Sequence, residues 1–193
     1  FNCLYLAEEE FIEGEDLRIQ DLMSIPSPYL MGFLDKFFEQ GLRPVIETTR
    51  GCPYKCTYCN DAVVVRDKVY RKTVGYIKEE LEYIAKRVEV PNIAIVDSNF
   101  GMYKQDIEIC KDIMAIRERT SWPKFIEVSL GKSKKIVESI SILKGGLPVH
   151  VAVQSTDDKV IESVNRRNIP AQAQIDIIKK SDNFGGTSFA EVI

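Results

Sequence analysis

With 193 residues, of which 45% are hydrophobic and 28% charged, the chain can bury one substantial core, and one principal domain is the natural expectation. A formal net charge of -3 indicates neither a nucleic-acid surface nor a membrane surface. No apolar run approaches transmembrane length, no secretory signal opens the chain, and five cysteines are too few for a disulfide framework, so a reducing, cytoplasmic setting is expected.

Glu8, Glu9, Glu10, Glu13, Glu15 and Asp16 make the first stretch acidic. The prolines of Ile25-Pro26-Ser27-Pro28-Tyr29-Leu30 then favour an extended connection, and Met31 to Phe38 can form a short helix. Residues 1–40 therefore read as a solvated lead-in that packs on a domain edge. Residues 43–48 read as a first, buried strand. Thr73 is placed to cap a helix with Val74, Ile77, Leu81, Ile84 and Val88 on one face. A second strand at 92–97, a helix at 104–119 and a third strand at 125–130 follow. Ile136, Val137, Ile140 and Leu143 mark the next helix, closed by Gly145 and Gly146. A fourth strand spans 149–153, Asp157 or Asp158 caps a helix through Val164, Pro170 opens another through Ile178, and a fifth strand starts at Thr187.

Strands alternating with helices imply an α/β fold with right-handed crossovers and a parallel sheet that binds ligands at its carboxyl ends. The chain is too short for a complete eight-stranded barrel. It starts at Phe1 and stops inside a strand-like run, Phe189 to Ile193. Residues 1–40 are accordingly expected to be a linker from an upstream domain, and 41–193 a core truncated at its C-terminus. An open sheet edge there would favour self-association.

Cys52, Cys56 and Cys59 fall in the run Thr49-Arg50-Gly51-Cys52-Pro53-Tyr54-Lys55-Cys56-Thr57-Tyr58-Cys59-Asn60, directly after the first strand. A structural zinc site needs a fourth protein ligand, whereas a 4Fe-4S cluster on three cysteines keeps one iron open to a substrate or cofactor. Taken alone, the residues leave a zinc site completed by Cys110, Cys3 or His150, or three ordinary thiols, as alternatives. Cys110 lies in a helical pattern with Ile107, Ile113 and Met114 and reads as core, as does His150 within its apolar strand.

The Cys-x3-Cys-x2-Cys spacing, with Tyr58 before the third cysteine, resembles the signature of the radical S-adenosylmethionine (radical SAM) enzymes. That resemblance implies a partial parallel (β/α) barrel of the radical SAM type, truncated after about five strands, a 4Fe-4S cluster on Cys52, Cys56 and Cys59, SAM on the open iron, and reductive SAM cleavage to a 5'-deoxyadenosyl radical. The electron would come from an external donor such as flavodoxin or ferredoxin. Asp97-Ser98-Asn99-Phe100 stands where many members carry Gly-Gly-Glu for the SAM amino group, and resembles instead the subgroup with an amino-terminal cobalamin domain. The Ile25–Leu30 linker and the Val45-Ile46-Glu47-Thr48 strand resemble the same subgroup. Cobalamin through an upstream domain, with methyl transfer or rearrangement, follows as an expectation. Gln154 and Ser155 resemble the Gln-Ser segment shared with methylthiotransferases, and Arg166 stands where the resemblance puts an arginine for the SAM carboxylate. In a barrel the polar Glu127, Ser129 and Lys132 would face the cavity and contact SAM or a substrate, although Glu127 fits an ion pair with an arginine equally well. A methylthiotransferase-like enzyme is the alternative, and a non-catalytic iron-sulfur or zinc module the rival of another class. The substrate, whether a small molecule or otherwise, is not encoded in these residues.

Overall fold

The computed structural model describes residues 3–15, 19–62 and 68–192; Asp16 of the acidic run and Ile193 of the last strand lie outside them. The strands are β1 (Leu4–Ala7), β2 (Glu10–Glu13), β3 (Val45–Ile46), β4 (Thr49–Arg50), β5 (Tyr70–Arg71), β6 (Asn92–Phe100), β7 (Phe125–Leu130), β8 (Val149–Gln154) and β9 (Ser188–Val192). The helices are α1 (Asp35–Phe38), α2 (Val74–Ala85), α3 (Lys104–Thr120), α4 (Ile136–Leu143), α5 (Asp158–Ser163) and α6 (Ala171–Asp182). The fold is α/β with parallel strands: β3, β6 and β7 form one sheet in that order, and β8 pairs with β9 in another.

The long elements form where periodicity and capping agree. Thr73 accepts a hydrogen bond from the Tyr76 N–H, and Asp157 accepts from the N–H groups of Lys159 and Val160, so α2 and α5 start on side-chain caps. Helix α2 buries Ile77, Leu81 and Ile84 along one face, and α3 buries Ile109, Cys110, Ile113 and Ile116. They pack with Ile93 and Ile95 of β6 and Ile126 of β7, all 2% exposed or less. At roughly 1.5–3 kcal/mol for each large apolar side chain removed from water, this cluster dominates the stabilisation of the sheet-and-helix layer. Helix α4 closes as expected, with Lys144 and Gly145 both at positive φ. Cys110 is core, as the pattern implied.

Four local expectations are corrected. The first strand is broken: Glu47 and Thr48 separate β3 from β4, and β4 pairs antiparallel with β5. Helix α2 stops at Ala85, so Val88 packs on the core from the following loop. The helix expected over Met31 to Phe38 is confined to α1. Within residues 1–40, β1 and β2 form a hairpin with Leu4, Leu6 and Phe11 largely exposed.

Tyr29 joins this leading segment to the sheet. Its hydroxyl donates to the Val45 carbonyl at 3.0 Å and accepts from the Val45 N–H at 2.9 Å, filling both backbone valences that a neighbouring strand would otherwise take from β3.

Candidate functional site

Strand β6 runs three residues further than the pattern predicted, and its pairing with β7 shifts register between Ile95 and Phe100. Such irregularities re-aim side chains at sheet ends. Asp97, Ser98 and Asn99 lie within this shifted stretch. The Asp97 carboxylate is 2% exposed and accepts from the N–H of Thr48 at 2.8 Å, the N–H of Thr49 at 3.0 Å and the Thr48 hydroxyl. It thereby fixes the β3–β4 break from which the cysteine loop departs. Burial pushes its pKa up to about 6 against the opposing pull of those three donors.

The cysteine loop leaves β4 through Gly51 at φ +100°. It is pinned on its far side by the Thr57 N–H to the Val164 carbonyl at 3.1 Å and by the Asn165 side-chain amide to the Lys55 carbonyl at 3.1 Å. Cys52 and Cys56 are 8% and 5% exposed, and Cys59 is half-buried. Two donors reach the sulfur atoms. Asn99 Nδ2 lies 3.1 Å from Cys52 Sγ, and Lys132 Nζ lies 3.7 Å from Cys56 Sγ. Lys132 also sits 4.1 Å over the Tyr54 ring, while the Tyr54 hydroxyl donates to the Lys132 carbonyl at 3.3 Å. Burial lowers the Lys132 pKa, and the neighbouring Arg166 lowers it further.

One cavity of about 220 Å³ is lined by all three cysteines together with Tyr58, Ser98, Asn99, Ser129, Gln154 and Arg166. These nine expected site residues converge there, and Lys132 lines it as well. Asp97 and Glu127 line instead an adjoining cavity of about 750 Å³ that shares Asp61, Ser98, Ser129 and His150 with the first. Glu127 is paired with Arg43, the ion-pair alternative open from the sequence. Ser155 turns away, its hydroxyl accepting from the Asp157 N–H at 3.1 Å ahead of α5. His150 departs from the core assignment. It lines both cavities and stacks on Phe189 with ring centroids 4.4 Å apart.

Arg166 is 8% exposed although it follows a helix, where a surface position would be ordinary. Its guanidinium donates to the Tyr58 hydroxyl at 2.6 Å, to Asn168 Oδ1 at 2.9 Å and to the Ala152 carbonyl. A guanidinium carries five N–H groups, so these three bonds leave two, and Arg166 lines the cavity. Gln154 closes β8 at φ +67°, a conformation side-chain-bearing residues rarely adopt, with its side chain on the cavity wall. Sequence reading passed over Tyr54, Asp61 and Asn168. Tyr54 had a visible signal, lying between two of the cysteines, whereas the 2.7 Å hydrogen bond from Ser98 to Asp61 is a contact no local pattern carries.

Among the described residues, no three His, Cys, Asp or Glu side chains are gathered so as to hold one metal ion. A 4Fe-4S cluster sets a different requirement, because each thiolate binds a separate iron. The donor set fits such a cluster: two buried thiols and a half-buried one in a single loop, with N–H donors aimed at two of the sulfur atoms. Among the described residues no helix is long and apolar enough to cross a membrane.

The sequence model of the radical SAM superfamily matches residues 46–190. The cobalamin-dependent radical SAM methyltransferase TokK of Streptomyces tokunonensis is 30% identical over 166 residues, covering 79% of this chain and 24% of TokK. The chain thus spans about a quarter of the length of that curated relative. Among solved structures, the radical SAM methyltransferase TsrM from Kitasatospora setae with cobalamin and a [4Fe-4S] cluster bound aligns with a TM-score of 0.65 at 14% identity, over 81% of this chain and 32% of TsrM. The cobalamin-dependent S-adenosylmethionine radical enzyme OxsB with aqua-cobalamin bound aligns with a TM-score of 0.63 at 15% identity, over 98% of this chain and 29% of OxsB.

Proposed function

The chain belongs to the radical SAM superfamily, and from that premise we propose that residues 41–193 form a catalytic core holding a 4Fe-4S cluster on Cys52, Cys56 and Cys59, with SAM on the open iron. The observation that carries this reading is the convergence of the three cysteines with Ser98, Asn99, Ser129, Gln154 and Arg166 around one cavity at the carboxyl ends of the strands. The parallel pairing within β3–β6–β7 and within β8–β9 supports reading these two sheets as parts of one partial barrel curved around that cavity.

When bound and reduced, the cluster supplies the electron that cleaves SAM to methionine and a 5'-deoxyadenosyl radical. The protein's part is to bind, orient and exclude water. Asp97 holds Thr48 and Thr49 so that the cysteine loop leaves the sheet at a fixed angle. Asn99 and Lys132 orient the thiolates of Cys52 and Cys56. The two spare N–H groups of Arg166 take the SAM carboxylate, a planar partner for a planar fork. Ser98, Ser129 and Gln154 offer hydrogen bonds to the ribose and amino groups. Tyr54, Leu130, Ile136 and Ile169 supply the apolar wall that keeps bulk water from the reacting atoms.

For the whole protein, the proposal extends to cobalamin-dependent methyl transfer with an external one-electron donor of the flavodoxin or ferredoxin class. The name of TokK and the cobalamin bound in TsrM and OxsB support that extension. The test is anaerobic reconstitution with iron and sulfide followed by metal analysis. The chain should take up about four irons and a matching amount of sulfide, as the cluster's composition requires. Changing any one of the three cysteines to Ala should remove the cluster's visible absorption. Stoichiometric zinc with no iron uptake would overturn the reading.

A further inference from the structure

Two of the three thiols receive a side-chain N–H from a different strand end. Asn99 on β6 reaches Cys52 at 3.1 Å, and Lys132, two residues beyond β7, reaches Cys56 at 3.7 Å. Both donors are held by independent packing. Asn99 is 8% exposed in the shifted stretch of β6. Lys132 is clamped by Tyr54, whose ring lies under the ammonium and whose hydroxyl meets the Lys132 carbonyl. The preceding Gly131 admits this approach: a Cβ there would lie 2.0 Å from Met102 Cγ and 2.9 Å from the Asn99 carbonyl oxygen. A long cationic side chain is thus held half-buried, with its ammonium 3.7 Å from Cys56 Sγ and 4.1 Å from the centre of the Tyr54 ring.

We infer that Lys132 and Asn99 are positioning residues that set the reduction potential of the cluster by donating N–H groups to the Cys56 and Cys52 thiolates. The inference rests on the cluster reading above. One-electron reduction by the external donor adds a negative charge shared by the irons and their sulfur ligands. A donor or positive charge aimed at sulfur stabilises that added charge and raises the potential. Lys132 brings both effects and Asn99 only the first, so the lysine carries the larger share. Raising the potential makes the electron easier to accept from a biological donor, and thereby sets which donors can prime the site.

The experiment is a redox titration of the anaerobically reconstituted chain, followed by the electron paramagnetic resonance signal of the reduced cluster, on the unaltered chain and on Lys132→Met, Lys132→Arg and Asn99→Ala. Lys132→Met should lower the reduced-to-oxidised ratio at a fixed ambient potential about tenfold, which is a shift of about 59 mV for a one-electron couple. Lys132→Arg should stay within about threefold of the unaltered chain, and Asn99→Ala should fall in the same direction as Lys132→Met by about threefold. Failure of the unaltered chain to take up iron overturns the cluster reading itself. A normal cluster whose potential is unmoved in the variants that load iron overturns this inference alone. Failure of both Lys132→Met and Asn99→Ala to load iron also overturns it, since the two residues would then hold the cluster rather than tune it.

Discussion

Arg166 donates to the hydroxyl of Tyr58 at 2.6 Å, tying the residue that precedes the third cysteine to strand β8, whose Ala152 carbonyl the same guanidinium also meets. One side chain therefore sets the distance between the cysteine loop and the far wall of the cavity. Replacing Arg166 with Met keeps the apolar stem and removes every donor. Because a hydrogen bond to a charged group is worth roughly 1.5–3 kcal/mol, SAM affinity should fall about tenfold to a hundredfold at unchanged iron content. Equilibrium dialysis of the reconstituted protein measures this, and unaltered affinity would remove Arg166 from the SAM site.

Asp97 should make stability depend on pH in the sense opposite to an ordinary carboxylate. Its pKa is raised from 3.8 to about 6 by burial, so the folded state binds the proton more tightly than the unfolded chain. The contribution is complete below pH 3.8 and is lost as pH rises through about 6. Between pH 4 and 7 the loss from this one group is about 3 kcal/mol at most, at 1.36 kcal/mol per pH unit. Asp97→Asn retains an oxygen for the N–H groups of Thr48 and Thr49 while removing the buried charge, so the gap in stability between mutant and parent should shift in favour of the mutant as pH rises through this window. Urea unfolding at pH 5 and pH 7 checks the sign; a constant gap would show that the buried carboxylate does not titrate there.

Gly131→Ala should disturb the cavity from beneath. The added carbon would meet Met102, which can swing aside, and the Asn99 carbonyl at 2.9 Å, which cannot move without β6. Overpacking of this kind costs about 1–3 kcal/mol. Because Asn99 also meets Cys52, iron retention should fall along with stability. Loss of stability with full iron retention would separate the packing of β6 from the cysteine loop.

Tyr29→Phe should expose the edge of β3. It removes one donor and one acceptor for the Val45 backbone, a loss of about 1–2 kcal/mol given that water can replace part of it. Hydrogen exchange at the Val45 amide should accelerate while that at buried Ile95 changes no more than global stability requires. Unchanged exchange at Val45 would mean that another group already protects it.

Much of the fold was legible because local signals agreed with one another. The cap at Thr73 preceded the Ile77, Leu81, Ile84 stripe, and Gly145 followed the last apolar residue of α4, so pattern and punctuation agreed on where α2 starts and where α4 ends. The β1–β2 hairpin was missed because its strands carry no polar–apolar alternation and bury nothing, leaving only an acidic run to read. The break at Glu47 and Thr48 was missed because the Asp97 carboxylate that stabilises it lies 49 residues away from Thr48 in sequence. The same distinction holds in the site. Cysteine spacing is a local quantity and identified the loop. The partners of Glu127, Asp97 and Lys132 depend on register and on which strands meet, which residue type alone does not encode.

The measurement that tests the central claim most directly is the electron paramagnetic resonance spectrum of the reduced, reconstituted chain with and without saturating SAM. With the cluster on Cys52, Cys56 and Cys59 and SAM on its open iron, the signal should change shape on addition of SAM, and Cys56→Ala should abolish it. A reduced cluster whose spectrum is indifferent to SAM would contradict the account.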